Sequence, residues 1–272
     1  MEPQNTSMGE SAHIIFTEGD FYQSHFDARV YFDSFYASPQ GHSDEDYLPF
    51  VLHQLSKTFS AGNLRGQRLI EVGTGPTIHS LISACESFEE IVVSDFTDSN
   101  RREIEKWLRQ EEGCLDWNPI IQFVCELEGK RTPGEVARRL RATVKQVLRC
   151  DVRLENPFHP VTVEPADCVM TSLCLEAACK DLDTYRRAVQ SLAALVKPGG
   201  ALVIIGALKE TFYVVGQQRF SCLNLSQSFI EKTLRDLGFS IQQFNTLPAK
   251  RGGVNQVSDF DAIFHLVAQK WN

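Results

Sequence analysis

The chain has no apolar run long enough to cross a membrane, no basic start followed by an apolar block, no Cys-x-x-Cys pair and no excess of positive charge. Each absence excludes something. Without about 20 consecutive apolar residues there is no candidate transmembrane helix. Without a charged-then-apolar start there is no secretory leader signature, so a cytosolic (cytoplasmic) protein is expected. Cysteines stand at 85, 114, 125, 150, 168, 174, 179 and 222, a scatter that offers neither a zinc site nor a redox pair. Several lie inside apolar runs and read as buried, reduced thiols. With 27 Lys+Arg against 35 Asp+Glu, the net charge of -8 disfavours a general polyanion binder, because nucleic-acid affinity rests on neutralising phosphates. No His, Cys and acid cluster points to nucleophilic catalysis or a metal. Repeats, low-complexity segments and heptads are absent too, so the expected protein is a monomer with no nucleic-acid or membrane partner.

What is present is an alternation. Strand-like runs occur at 68–72, 90–95, 121–126, 167–173 and 200–206, with helix-like runs at 77–86, 99–110, 133–149 and 183–197. That order is the signature of an α/β, doubly wound, mostly parallel sheet. Lys197-Pro198-Gly199-Gly200 reads as a helix stop with a turn. Ser226 reads as the cap of a helix running to Leu237, with Gly238 just past its end. Runs at 239–246 and 261–269, joined across Pro248, Gly252 and Gly253 without a helix, predict an antiparallel hairpin at one sheet edge. Residues 1–18 read as a flexible tail, and 19–272 as one domain. Its first part, about 19–60, is rich in aromatics and includes an amphipathic helix at 46–59. Two roles are open to those aromatics, a core-facing stripe or a lid. The run at 133–149 carries Arg138, Arg139, Arg141, Lys145 and Arg149 opposite a stripe of Val136, Leu140, Val144 and Val147. No aromatics interleave with the basic residues, so a solvated face is expected rather than a base-stacking one.

The most informative stretch is Leu69-Ile70-Glu71-Val72-Gly73-Thr74-Gly75-Pro76-Thr77, an apolar strand that turns on two glycines. The next strand, Ile91-Val92-Val93-Ser94, ends in Asp95. Glycines let the backbone approach a ligand, and an acid after the second strand can hold ribose hydroxyls. A dinucleotide site usually adds a third glycine at the helix start, where this chain has Pro76 and Thr77. A ligand with ribose and adenine but no phosphate fits better, a description that S-adenosylmethionine meets.

Further segments carry a resemblance. IEVGTGPTIHSLISACESFEEIVVSDF (70–96), CELEGK (125–130), VLRCDV (147–152), SLCLEAAC (172–179) and LVKPGGALVIIGALKETFYVVG (195–216) resemble the small-molecule amine methyltransferases that include the nicotinamide, phenylethanolamine and indolethylamine N-methyltransferases. The likeness covers nearly everything after residue 20. It implies a Rossmann-like fold with an N-terminal helical lid, S-adenosyl-L-methionine as cofactor and a small-molecule amine as substrate. By motif it implies that Tyr22, Tyr31 and Tyr36 close over the methionine end, and that Gly73, Gly75 and Thr77 frame the turn, with Thr77 meeting the carboxylate. Asp95 would hold the ribose, Phe96 would lie against the adenine with Asn100 nearby, and Asp151 and Val152 would meet the adenine edge, with Ser172 close through its backbone. His79 stands where the family has a tyrosine, and a histidine can still donate a hydrogen bond there.

The acceptor side separates the branches. Glu176 and Glu210 follow the strands at 167–173 and 200–206, hence at the ligand-binding edge of the sheet. The nicotinamide branch resembles aspartate and serine at these positions, with an aspartate where Gly206 stands here, and the indolethylamine branch keeps only the first glutamate. Both glutamates and the run Ile205-Gly206-Ala207-Leu208 resemble the phenylethanolamine branch. Catalytic roles for Glu176 and Glu210 are therefore expected, with Phe35, Leu173, Tyr213 and Asp259 also lining the acceptor site and Ser258 the alternative to Asp259. SLCLEAAC and CELEG are nearer the nicotinamide and indolethylamine enzymes, Phe35 matches no branch, and Leu173 replaces a phenylalanine of the phenylethanolamine branch. The expected acceptor is a phenylethanolamine such as noradrenaline, placing the enzyme in catecholamine biosynthesis. The alternatives are nicotinamide, an indolethylamine, or a non-catalytic protein that binds S-adenosylmethionine.

Overall fold

The computed structural model describes residues 15–40, 47–60, 62, 64–250 and 257–272. Two short helices, α1 (Gly19–His25) and α2 (Ala28–Phe35), lead to α3 (Tyr47–Ser60) and then to β1 (Gly66–Val72). The alternation continues through β2 (Phe88–Asp95), α4 (Asp98–Arg109), α5 (Asn118–Glu128), α6 (Pro133–Thr143), β3 (Val144–Arg149) and β4 (Ala166–Ser172). After α7 (Leu175–Ala178) and α8 (Leu182–Ala194) come β5 (Val196–Leu208), β6 (Phe212–Val215) and β7 (Gln218–Ser221). The chain closes with α9 (Gln227–Asp236), β8 (Phe239–Pro248) and β9 (Ala262–Lys270).

Seven strands form one sheet in the order β3-β2-β1-β4-β5-β9-β8. The first five are parallel, and β9 and β8 are antiparallel at one edge, as the C-terminal pattern predicts. The central strands are buried on both faces, which is why Ile91–Val93 and Leu202–Ile205 read as continuous apolar runs, and β1 departs from this only at the buried Glu71. The chain builds outward from β1 to β2 and β3, then returns to β4 on the other side of β1. The crevice at the carboxyl ends of β1 and β4 is therefore the switch point of the sheet, where ligands of open α/β folds bind. Ser226 caps its helix as expected, and further helix starts are capped too. Asp27 accepts from Arg29 N and Val30 N, Thr132 and Glu135 form a capping box, and Ser226 accepts from Phe229 N. Each cap contributes about 1 kcal/mol.

Several expectations are corrected. The run at 121–126 is part of helix α5, not a strand. Pro119 begins that helix and Gly129 ends it in the left-handed region, and Ile120, Ile121, Val124 and Cys125 are buried at helical spacing. The run at 133–149 is a helix only to Thr143. The β-branched and apolar residues that follow form β3, which pairs with the edge of β2. Its basic face is only partly solvated, since Arg139 donates to the carbonyls of Cys85 and Phe88 and Arg141 to that of Trp107. In place of a helix at 77–86 there are two 3-10 turns, His79–Leu81 and Ala84–Glu86. This segment is buried through Cys85, and the Ser80 hydroxyl is drawn to Glu71, so it has no solvent face to support an amphipathic helix. The fourth helix-like run ends at Ala194, and Lys197–Gly200 lies inside β5, where the register with β4 shifts. The hairpin β6–β7 has no counterpart in the sequence reading. Of the tail, 1–14 lie outside the described residues, whereas Thr17 exchanges two hydrogen bonds with Ser221. Gly252 and Gly253 also lie outside them. Cys85, Cys125, Cys150, Cys168 and Cys179 are buried, and Cys114, Cys174 and Cys222 are partly so.

Candidate active site

A cavity lies over the carboxyl ends of β1, β4 and β5, roofed by α1, α2 and the β6–β7 hairpin. Gly73 and Gly75 form its floor with φ of 72° and 64°. A Cβ on Gly73 would stand 2.2 Å from the Cys174 sulfur, whereas one on Gly75 would meet nothing within 4 Å. The first glycine thus allows β1 and β4 to close together, and the second leaves the backbone open to the cavity. Leu173 and Lys209, just past β4 and β5, also have positive φ, 50° and 61°. Backbone held in this region away from glycine is a feature of functional sites.

Beneath the turn, Glu71 is fully buried and accepts from the hydroxyls of Thr74 and Ser80. Thr77 donates its hydroxyl proton to the Thr74 carbonyl (2.8 Å), so only its backbone N–H is left to meet a carboxylate. Asp95 accepts at Oδ1 from Thr97 N (2.8 Å) and Asn100 Nδ2 (3.0 Å), and at Oδ2 from Gly75 N (2.8 Å). Burial pushes its carboxyl up, and these bonds oppose the rise. Since a carboxylate oxygen accepts about two hydrogen bonds, Oδ2 keeps one position for a hydroxyl.

At the far end, Phe96 and Val152 line the wall beside Asp151. The Asp151 carboxylate is forked by Arg153, with contacts of 2.9 and 2.8 Å, and Arg153 also pairs with Glu18 before α1. Burial pushes the Asp151 carboxyl up, but the bonds and charge of Arg153 outweigh it and hold it below its usual range. The expected contact between Asp151 and an adenine amine must therefore share a carboxylate already engaged.

Five of the six tyrosines line the cavity. Tyr31, Tyr36 and Tyr47 form a hydroxyl chain with steps of 3.3 and 3.0 Å, and Tyr22 meets Tyr213 at 3.1 Å. Of the aromatics of α1 and α2, Phe32 of α2 is buried in the core, whereas Tyr22 of α1 and Tyr31 and Phe35 of α2 face the cavity. Phe35, Leu173 and Phe260 add apolar wall.

Glu176 and Glu210 both face the cavity and are only 3% and 6% exposed. Glu176 accepts from Ala207 N at 2.8 Å, and Glu210 accepts from the Ser258 hydroxyl at 2.5 Å. Asp259 is corrected: it is not on the wall, because its carboxylate is taken up by the backbone N–H groups of Thr211 and Phe212 and the Thr211 hydroxyl. Ser258 holds the wall position instead. Every other expected site residue lines the cavity. The sequence reading missed Tyr47, Thr74, Arg153, Cys174 and Cys222. Two had a usable signal: Tyr47 is a fourth tyrosine early in the chain, and Thr74 lies between the two glycines of the turn.

Among the described residues, three buried polar atoms on the wall have no protein partner: His79 Nε2, Asn100 Oδ1 and Ser172 Oγ. Such atoms cost about 1–3 kcal/mol each unless a ligand or water meets them. Together with the open Gly75, they suit a polar, nucleoside-like ligand, which S-adenosylmethionine is.

The titrations set a testable pH dependence. Burial pushes the Glu71 carboxyl up to about 7, and burial followed by the charge of Glu210 pushes Glu176 up to about 8. Burial lowers His79 to about 3 and His265 to about 4. The raised carboxyls stabilise the fold fully below their ordinary value of 4.5, and that contribution is lost as pH rises through 7 and 8. The histidines act oppositely, stabilising above 6.5 and losing that contribution as pH falls. Above 6.5 the carboxyls act alone, so the Tm is expected to fall between pH 6.5 and 8, and Glu71→Gln to flatten part of the fall. A Tm of the parent protein that holds level across that window would contradict the burial of both acids.

The model of the NNMT/PNMT/TEMT family matches residues 13–271. The chain is 44% identical to human nicotinamide N-methyltransferase over 257 residues, covering 94% of this chain and 97% of that protein. It is 50% identical to rabbit indolethylamine N-methyltransferase, over 84% of this chain and 88% of that one. With pig phenylethanolamine N-methyltransferase the identity is 38%, over 90% and 89%. Among solved structures, magnesium protoporphyrin IX methyltransferase from Synechocystis PCC 6803 with bound SAM superposes with a TM-score of 0.53 at 16% identity, over 92% of this chain and 94% of that one. The chain belongs to the NNMT/PNMT/TEMT family and is an S-adenosylmethionine-dependent amine N-methyltransferase.

Proposed function

We propose that the acceptor is a primary amine on a short chain attached to an aromatic ring, a phenylethanolamine such as noradrenaline. The observation that carries this reading is the pair of buried glutamates in an otherwise aromatic and apolar cavity. Burial first, and then repulsion between the two carboxyls, holds Glu176 up near 8. An ammonium brought between them relieves that repulsion, whereas a neutral pyridine does not. Gly206 supports the same reading. A Cβ there would stand 2.7 Å from the Phe264 ring and 3.1 Å from Glu176 Oε1, so the aspartate that the nicotinamide branch resembles at this position has no room.

S-adenosylmethionine, when bound, supplies a methyl group already activated on a sulfonium. The chain's own tasks are then alignment and exclusion of water, and good positioning contributes roughly 7–11 kcal/mol to lowering such a barrier. Glu210, fixed by Ser258, docks the ammonium, and Glu176 takes up a proton through water or the acceptor's hydroxyl. The tyrosine roof and the Tyr22–Tyr213 clasp keep solvent out. Thiols throughout the chain, none of them in a disulfide, suit a reducing compartment such as the cytosol.

A second reading, an indolethylamine or nicotinamide as acceptor, is favoured by the higher identities of 50% and 44% with those relatives. Leu173 also stands where the phenylethanolamine branch resembles a phenylalanine. Parallel assays of methyl transfer to noradrenaline, phenylethanolamine, tryptamine and nicotinamide separate the two. The hydroxylated phenylethylamines are expected to rank highest in kcat/KM, and a first rank for nicotinamide or tryptamine would overturn the two-glutamate reading.

A further inference from the structure

The hydrogen-bond network under the glycine turn fixes which proton His79 carries. Thr77 Oγ1 lies 2.8 Å from the Thr74 carbonyl and 3.0 Å from His79 Nδ1. A carbonyl has no proton, so the single hydroxyl proton of Thr77 goes to Thr74, and Thr77 Oγ1 must accept from His79. Nδ1 therefore carries the ring proton. His79 is 2% exposed and burial depresses its basicity, so the ring is neutral and its Nε2 is a bare lone pair. Among the described residues that Nε2 has no partner, and the ring that bears it is part of the cavity wall. The ring is held against Tyr36, with centroids 4.8 Å apart, and the Tyr36 hydroxyl is itself tied to Tyr31 and Tyr47. The sequence expectation that His79 donates to the cofactor is thereby reversed.

We infer that His79 Nε2 accepts a hydrogen bond from the α-ammonium of S-adenosylmethionine and so selects ligands that keep this amino group. The amino-acid end of that ligand has one donor, the ammonium, and one acceptor, the carboxylate. An acceptor on the wall pairs only with the first. The same chemistry makes His79 a recognition residue for the amine of S-adenosylhomocysteine, and leaves the carboxylate to backbone N–H groups of the turn. The inference rests on the cofactor lying with its amino-acid end against α2, as in the reading above.

The test is calorimetric titration of the parent protein and His79→Phe with S-adenosylhomocysteine and with its analogue in which hydrogen replaces the α-amino group. A hydrogen bond to a charged group predicts that the parent prefers the amino form by about tenfold or more. In His79→Phe this preference is expected to fall by about that factor, because affinity for the amino form drops while that for the analogue holds. An unchanged preference, or an equal loss for both ligands, would overturn the inference. Failure of the parent to bind S-adenosylhomocysteine at all would remove the cofactor reading, and this inference with it. An independent check needs no variant: in the parent, nitrogen NMR of labelled histidine should give His79 a protonated Nδ1 and an unprotonated Nε2. The opposite tautomer would overturn the assignment.

Discussion

Glu210→Gln is expected to lower kcat/KM for amine methylation by about 30- to 3,000-fold, the loss expected when one partner of a buried charge pair is removed. Binding of S-adenosylhomocysteine should be nearly unchanged. The substitution keeps the shape of the side chain and an oxygen that can accept from Ser258, so the wall is preserved. What disappears is the negative charge that, in the proposed function, docks the ammonium. The pair with Glu176 is lost as well, and Glu176, no longer facing a second carboxylate, should ionise at lower pH, since the charge of Glu210 helps to hold it up. The acidic limb of the pH–rate profile should therefore move to lower pH in the residual activity. Normal turnover in Glu210→Gln would remove this residue from the mechanism. An equal loss of cofactor affinity would make its role structural.

Asp95→Asn is expected to weaken S-adenosylhomocysteine binding by about 100-fold or more, the order expected when bonds to a charged group are lost and donors are left unmet. Every protein group around this carboxylate is a donor: Gly75 N, Thr97 N and Asn100 Nδ2. A ribose would add hydroxyl donors to the same centre. An asparagine has one accepting oxygen and one donating NH2, so either orientation turns a donor toward a donor. If the NH2 faces Gly75, the glycine turn is pushed away from β2. If it faces Thr97 and Asn100, the start of α4 loses its anchor. Calorimetry and the Tm should fall together, and retention of parental affinity would show that Asp95 is not where the ligand is held.

Histidine 79 and the glutamate pair show where sequence reasoning stops. A residue type and its spacing place a side chain at a sheet edge, but not the direction in which it donates. His79 could be read as a donor until Thr77 was found to give its proton to Thr74. Along the chain Asp259 is the better match and Ser258 the alternative. The turn at Thr211, distant in sequence, captures the first and leaves the second against Glu210.

The amino-acid sequence by itself determined the elements whose signals are local. These are the buried strands β1, β2, β4 and β5, the glycine turn before Thr77, the capped helices and the C-terminal hairpin. Hydrophobic runs, turn glycines and caps act within a few residues, so they survive without knowledge of the fold. Only the tertiary structure decided the division of 133–149 into α6 and β3 and the 3-10 turns beneath the cavity. There, short apolar segments suit helix and strand alike, and pairing with the β2 edge or burial under the turn made the choice. It also decided the site's chemistry: Tyr22 meets Tyr213, and Glu176 shares a cavity with Glu210. Such contacts join residues far apart along the chain, and burial away from water, which no local pattern encodes, sets their protonation.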